Sequence, residues 1–247
     1  MLKKAIILGA GPSGLISGWL LAKSGWKVEI YEMQNKVGGM CRSWKWKKQI
    51  LDTGPHIFHT YDKKLEKFWK NNFKEILLEG EYWAKNVLGN NLDQIYDYPL
   101  SHESFKKYPS EIRKKIELEF EELKKNKTVE TSNFSQFIEN QVGKTLTSMF
   151  FKDYPEKVWG VSSNKMTADW APKRIKITKK SMPFFNTEYT AVAKFGTGTF
   201  YEKIKKNIEK LGGKIILNST VIKLKTERND IKEIFLKNKK KIKINKE

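Results

Sequence analysis

A chain of 247 residues can hold one large core or two smaller lobes, and 39% hydrophobic with 13% aromatic residues excludes a disordered polypeptide. The formal charge of +20 is nearly all lysine, scattered along the chain with only Arg42, Arg113, Arg174 and Arg228 as arginines; this reads as a solvated surface, supporting at most an anionic substrate or peripheral membrane contact and no nucleic-acid partner. The one cysteine, Cys41, excludes a disulfide framework and a thiolate cluster; His56, His59 and His102 lack zinc spacing, so no metal is expected, and no apolar run is long enough to span a bilayer.

The first apolar run, residues 4–8, ends at Gly9, as a buried parallel strand does. Gly9, Gly11 and Pro12 break what would otherwise resemble a signal peptide, so a cytoplasmic location is expected. Residues 14–24 read as a helix with Leu15, Trp19 and Ala22 on one face and Gly25 closing it. Lys27 to Tyr31 forms a second strand ending at Glu32. Helical spacing of Leu65, Phe68, Trp69, Phe73 and Ile76 predicts a helix over 62–78. Further helices are expected over 110–127, with Ile116, Phe120 and Leu123 in one stripe, and from a cap at Asn133. Residues 145–175 are aromatic-rich and contain the helix breaker Pro172. The chain then returns to α/β: a helix over 200–211, and strands over 214–217, 221–226 and 231–236, the last two joined by a turn at Asn229-Asp230. The layout implies an α/β fold: a nucleotide-binding domain of residues 1–75 and 195–247, interrupted by a mostly helical substrate lobe of residues 76–194.

Gly9-Ala10-Gly11-Pro12-Ser13-Gly14 lies between a strand and a helix, and an acid, Glu32, ends the next strand. These are the contextual requirements of a Rossmann-like dinucleotide fingerprint, which a glycine-rich turn alone would not meet. Gly9 permits the tight turn, Gly11 lets the backbone approach a pyrophosphate, and Gly14 lets helix and strand pack closely. The helix N-terminus, with Pro12 and Ser13, faces the anion. Glu32 would accept from the adenosine ribose hydroxyls and disfavour NADP.

Val37-Gly38-Gly39-Met40-Cys41-Arg42-Ser43 follows closely. Here the chain resembles the glycine-doublet FAD family of monoamine oxidases, protoporphyrinogen oxidase, phytoene desaturases and UDP-galactopyranose mutase. The resemblance implies FAD as cofactor, with Gly38, Gly39, Met40 and Arg42 along the pyrophosphate. Residues 51–58, Leu-Asp-Thr-Gly-Pro-His-Ile-Phe, are similar to the family segment beside the flavin. Gly54 would admit the ring, and His56 would either tune it or simply fix a loop. Residues 154–160 and 166–175 are similar to a bacterial polysaccharide-biosynthesis branch; Trp159, Trp170 and Arg174 would line a substrate cleft, or the tryptophans are core and Arg174 pairs with Asp169. Residues 196–201 and 218–221 resemble the family's return to the FAD domain, implying that the Val221 backbone meets the adenine.

Family members are longer, with a C-terminal glycine-rich turn near the flavin, so a separate polypeptide completing the site is one expectation. The favoured activity is an FAD-dependent oxidoreductase of the amine-oxidase type, passing hydride from substrate to flavin N5. The alternatives are a mutase-like isomerase acting on a nucleotide sugar or other small anionic substrate, and a non-catalytic flavin-binding protein. No residue is assigned as catalytic base.

Overall fold

The computed structural model describes residues 3–88, 94–125, 131–169, 175, 177–185 and 189–244. The chain divides into two compact units, Met1–Gly80 with Thr187–Glu247, and Glu81–Asn186.

The first unit opens with β1 (Lys4–Leu8), α1 (Pro12–Lys23), β2 (Lys27–Tyr31), β3 (Ser43–Trp46), β4 (Gln49–Asp52), β5 (Phe58–Thr60), α2 (Lys63–Phe73) and β6 (Leu77–Glu79). The second unit contains β7 (Ala84–Val87), β8 (Ile95–Tyr98), α3 (His102–Phe105), α4 (Ser110–Lys125), α5 (Phe134–Phe150) and α6 (Asp153–Trp159). The chain returns to the first unit with β9 (Tyr189–Ala193), α7 (Gly198–Lys210), β10 (Lys214–Ile216), β11 (Val221–Glu227), β12 (Asp230–Leu236) and β13 (Lys241–Lys243).

β1, β2 and β10 form a parallel sheet, with Lys4 opposite Lys27 and Lys214 opposite Glu29. Side chains alternate across a strand, and the two faces of this sheet bury different partners. Ala5, Ile7, Val28, Ile30 and Ile215 join the core with Leu15 and Trp19 of α1 and Phe200, Ile204 and Ile208 of α7. Ile6, Tyr31 and Ile216 point the other way, against Val221, Ile234 and Leu236 of the antiparallel β11-β12-β13 sheet. The sheet is thus sandwiched between a helical layer and a second sheet, and the ends of β1 and β2 emerge together.

Three expectations are corrected. The helix over 62–78 stops at Phe73: Asp62 caps its start, accepting from the N–H groups of Lys64 (2.7 Å) and Leu65 (3.2 Å), but Leu77–Glu79 pairs antiparallel with β9 instead. The turn joining β11 and β12 is Arg228-Asn229 rather than Asn229-Asp230, since Glu227 pairs with Asp230 and Arg228 takes the left-handed φ of 53°. The boundaries expected at 75 and 195 would cut through a sheet, because β9 lies between β5 and β6.

In the second unit, α4 and α5 enclose a core of Ile116, Phe134, Ile138, Val142 and Leu146. Asn133 caps α5, accepting from the Gln136 N–H at 3.0 Å. The helix breaks at Gly143 (φ 82°, ψ 167°), where a side chain would meet Glu119. Glu119 recaps the second half, accepting from the Thr145 N–H (2.9 Å) and hydroxyl (2.7 Å). Glu119→Ala is expected to lower unfolding stability by about 1 kcal/mol, the usual cost of a lost cap, read from urea midpoints.

Candidate dinucleotide-binding site

The site is built at the ends of β1 and β2. The Gly9 N–H donates to the Tyr31 carbonyl at 2.8 Å, and Gly9 turns the chain with φ 99°. α1 begins immediately: Gly11 is its N-cap residue with no side-chain cap, Pro12 sits in the first turn, and no acid lies there. Its first N–H groups are therefore directed at whatever anion occupies the turn. A Cβ on Gly14 would stand 2.1 Å from the Gly9 carbonyl oxygen and 3.3 Å from Ile7 Cγ2, so the close crossing of helix and strand requires glycine.

Glu32 is buried, yet its carboxylate is bonded on both oxygens: Oε2 accepts from the Ala10 N–H (2.7 Å) and Oε1 from the Gln34 N–H (2.8 Å). This ties the glycine-rich turn to the end of β2. Each carboxylate oxygen keeps a second acceptor position for a ribose hydroxyl. The Glu32 carbonyl accepts from Ser219 (2.7 Å), which brings the segment leading into Val221 and β11 alongside.

The glycine doublet closes over the same turn. Gly38 donates its N–H to the Ala10 carbonyl (2.8 Å), and a Cβ on Gly39 would lie 3.2 Å from Gly11 Cα. Met40 is exposed, while Arg42 is half-buried, its Cγ 3.3 Å from where a Gly38 side chain would begin. Arg42 forms no ion pair among the described residues, leaving its guanidinium available to a phosphate. The fold therefore gathers Gly9, Gly11, Pro12, Ser13, Gly14, Glu32, Gly38, Gly39 and Arg42 at one place.

Gly54 and His56 belong to a neighbouring loop. The His56 Nδ1 is 2.8 Å from the Gly54 carbonyl, which can only accept, so Nδ1 carries a proton in this contact. A side chain on Gly54 would meet nothing within 4 Å.

Sequence reasoning missed Asp52. This carboxylate accepts from the Ser43 hydroxyl, from the Thr197 N–H (3.1 Å) and from the Thr197 hydroxyl (2.8 Å), while the Ser43 hydroxyl oxygen accepts the Gly198 N–H (2.7 Å). It thereby pins the β3-β4 hairpin to the start of α7. The only signal was its place just before Thr53-Gly54. Burial pushes its pKa up, but the hydrogen bonds from Ser43 and Thr197, with His56 nearby, outweigh this and hold it below the usual 3.8. A depressed carboxyl stabilises the fold above its unfolded pKa, and that contribution is lost as pH falls through the lower folded value. The stability advantage of the native protein over Asp52→Asn is therefore expected to shrink between about pH 5 and pH 2, seen as converging urea midpoints.

Residues 7–71, which span the glycine-rich turn, Glu32, the glycine doublet, Arg42, Asp52, Gly54 and His56, match the family described as NAD(P)-binding Rossmann-like domain. The chain carries a Rossmann-like dinucleotide-binding domain of the FAD type. Its whole length resembles more than that domain. It is 28% identical over 241 residues to dTDP-fucopyranose mutase of Escherichia coli, covering 91% of this chain and 60% of that protein. The L-amino-acid oxidase of Crotalus adamanteus is 29% identical over 91 residues, 34% of this chain and 18% of that protein. Among solved structures, a reduced UDP-galactopyranose mutase superposes with a TM-score of 0.79 at 20% identity, over 98% of this chain and 54% of that one. The chain spans little more than half the length of the mutases it matches.

Beyond the Rossmann-like domain, Trp159 ends α6 with 62% of its surface exposed, so it is not core. Trp170 and Arg174 lie outside the described residues, as does Pro172. No helix among the described residues is long and apolar enough to cross a membrane.

Proposed function

We propose that this chain forms the FAD-binding part of a flavin-dependent nucleotide-sugar mutase, which interconverts ring forms of a sugar linked to a nucleoside diphosphate. The extent of sequence similarity carries this reading: identity to the dTDP-fucopyranose mutase covers 91% of the chain, whereas identity to the L-amino-acid oxidase covers 34%. The amine-oxidase reading favoured by the sequence motifs rests on the cofactor-binding part that both groups share.

The residues fit FAD on physical grounds. The uncapped α1 N-terminus and Arg42 would hold the pyrophosphate. Gly9 and Gly11 leave open space on the turn, Gly14 and Gly39 let backbone close in on it, Glu32 would take the ribose hydroxyls, and the Val221 backbone would border the adenine. Bound FAD would supply a ring nitrogen able to act as a nucleophile when reduced or accept hydride when oxidised. Gly54 would let the ring approach the backbone, and His56, its Nδ1 committed to Gly54, would turn Nε2 to the ring edge. Trp159, with the exposed Tyr154 on the same helix, would stack on a base or sugar face; Trp170 and Arg174 are assigned to the same substrate. The remainder of a mutase-like fold, on this chain or on a separate polypeptide, would cover the exposed Trp44, Trp46, Ile50 and Leu51 of the β3-β4 hairpin.

The test uses the chain within the polypeptide or assembly to which it belongs, loaded with FAD and offered dTDP- or UDP-linked hexopyranoses. Formation of the ring isomer only after dithionite reduction, with no net consumption of an electron acceptor, is the expected outcome. Stoichiometric acceptor reduction without an isomer would replace the mutase by an oxidoreductase, and protein that cannot be reconstituted with flavin would sink both.

A further inference from the structure

β1 is an edge strand: among the described residues the parallel sheet runs β1-β2-β10, with a neighbour on one side of β1 only. The Lys27 N–H donates to the Lys3 carbonyl and the Gly9 N–H to the Tyr31 carbonyl, both at 2.8 Å. Parallel pairing turns the N–H and C=O groups of every second residue to the same neighbour, so Lys3, Ala5, Ile7 and Gly9 face β2. The backbone groups of Lys4, Ile6 and Leu8 face the other way and meet no partner among the described residues. We propose that this open edge seats a further parallel β-strand from outside residues 1–247, supplied by the remainder of a mutase-like fold.

Unpaired edges are ordinary, but native ones are blunted by charge or by shortness. β10 has three residues, and β13 reads Lys-Ile-Lys. β1 has neither protection. After Lys4 it reads Ala-Ile-Ile-Leu, the continuous apolar run of a parallel strand covered on both faces. Its burial falls short of that composition. Val28 and Ile30 on the central strand β2 are fully buried, whereas Ala5, Ile6 and Ile7 are only half-buried and Leu8 is 43% exposed.

Topology and length point to the occupant. In open α/β sheets a nucleotide lies outside the carboxyl ends of the strands, where the strand order reverses. α1 carries the chain from β1 to β2 in one direction, and a strand on the far side of β1 makes the reversal beside the glycine-rich turn. Parallel orientation brings the carboxyl end of that strand to the same turn. The matched mutases extend well beyond this chain, which covers 60% of one and 54% of the other, so their fold has a source for it. A second copy of this chain fits the edge poorly, since a net charge of +20 on each opposes pairing.

The source of the strand rests on the mutase reading; the open edge does not. Amide hydrogen exchange, resolved residue by residue and without flavin, compares the chain by itself with the chain as recovered natively, in the polypeptide or assembly to which it belongs. Ala5 and Ile7, bonded to β2, should be protected in both. Ile6 and Leu8 should exchange fast in the chain alone and at least about a hundredfold more slowly in the native form. Nuclear Overhauser contacts from their amides to α-protons outside residues 1–247 should identify the added strand. Fast exchange of Ile6 and Leu8 in the native form, or protection without those contacts, would overturn the proposal. So would slow exchange in the chain alone: dependent on protein concentration, it would put a second copy on the edge, and independent of it, a segment of this chain. No substrate or turnover enters the measurement, so its outcome is separate from that of the mutase test.

Discussion

Gly14→Ala protein is expected to retain roughly a tenth or less of the wild-type flavin after purification and to unfold at lower denaturant, by about 1–3 kcal/mol. The new methyl carbon would stand 2.1 Å from the Gly9 carbonyl oxygen, less than any real contact allows. Gly9 cannot step aside cheaply: its N–H is bonded to Tyr31, and its φ of 99° is already the one the turn demands. Relief must come from α1 sliding away from β1, which spoils the N-terminus that faces the pyrophosphate. Gly54→Ala is the control. It meets nothing within 4 Å and should melt within about 0.5 kcal/mol of wild type. Flavin absorbance per chain and urea unfolding read both quantities, and normal flavin content in Gly14→Ala would refute the assigned role of the turn.

The second large effect is expected at Glu32. Glu32→Ala removes the acceptor of two backbone N–H groups, the buried one of Ala10 and the part-buried one of Gln34. An unsatisfied buried donor costs about 1–3 kcal/mol, so a loss of about that size is expected from the Ala10 N–H, together with loss of affinity for FAD. Glu32→Gln separates the two roles. Its carbonyl oxygen still accepts one N–H, while its amide points a donor at the other, so stability should fall between wild type and Glu32→Ala. Calorimetric titration with FAD beside urea unfolding measures both; a Glu32→Ala protein as stable as wild type would show that the two N–H groups find other partners.

These two residues were legible without a structure because their constraints are local in sequence. A strand, a glycine turn, a helix and an acid at the next strand end are separated by only a few residues each, and Asn133 announced its helix in the same way. What the sequence concealed was set at long range. β6 and β9 are short and gain their hydrogen bonds only from each other and from β5, more than a hundred residues apart, so Ile76 and Leu77 looked like the continuation of a helical stripe. Asp52 was invisible as a linchpin because its partner Thr197 lies 145 residues away. Trp159, compatible from sequence with either the core of the lobe or a substrate cleft, is exposed at the end of α6 and so is not core. Even the Arg228-Asn229 turn was displaced by one residue, since the register of β11 with β12 overrode the preference of asparagine and aspartate for turns.

The sequence by itself therefore determined that the chain carries a Rossmann-like unit and which turn begins its first helix, because glycine geometry and helix-end electrostatics act between near neighbours. Only the tertiary structure decided how that turn is locked to Glu32 and the glycine doublet, and where the two units divide. Those facts depend on burial and on pairing between distant segments, which no local pattern encodes.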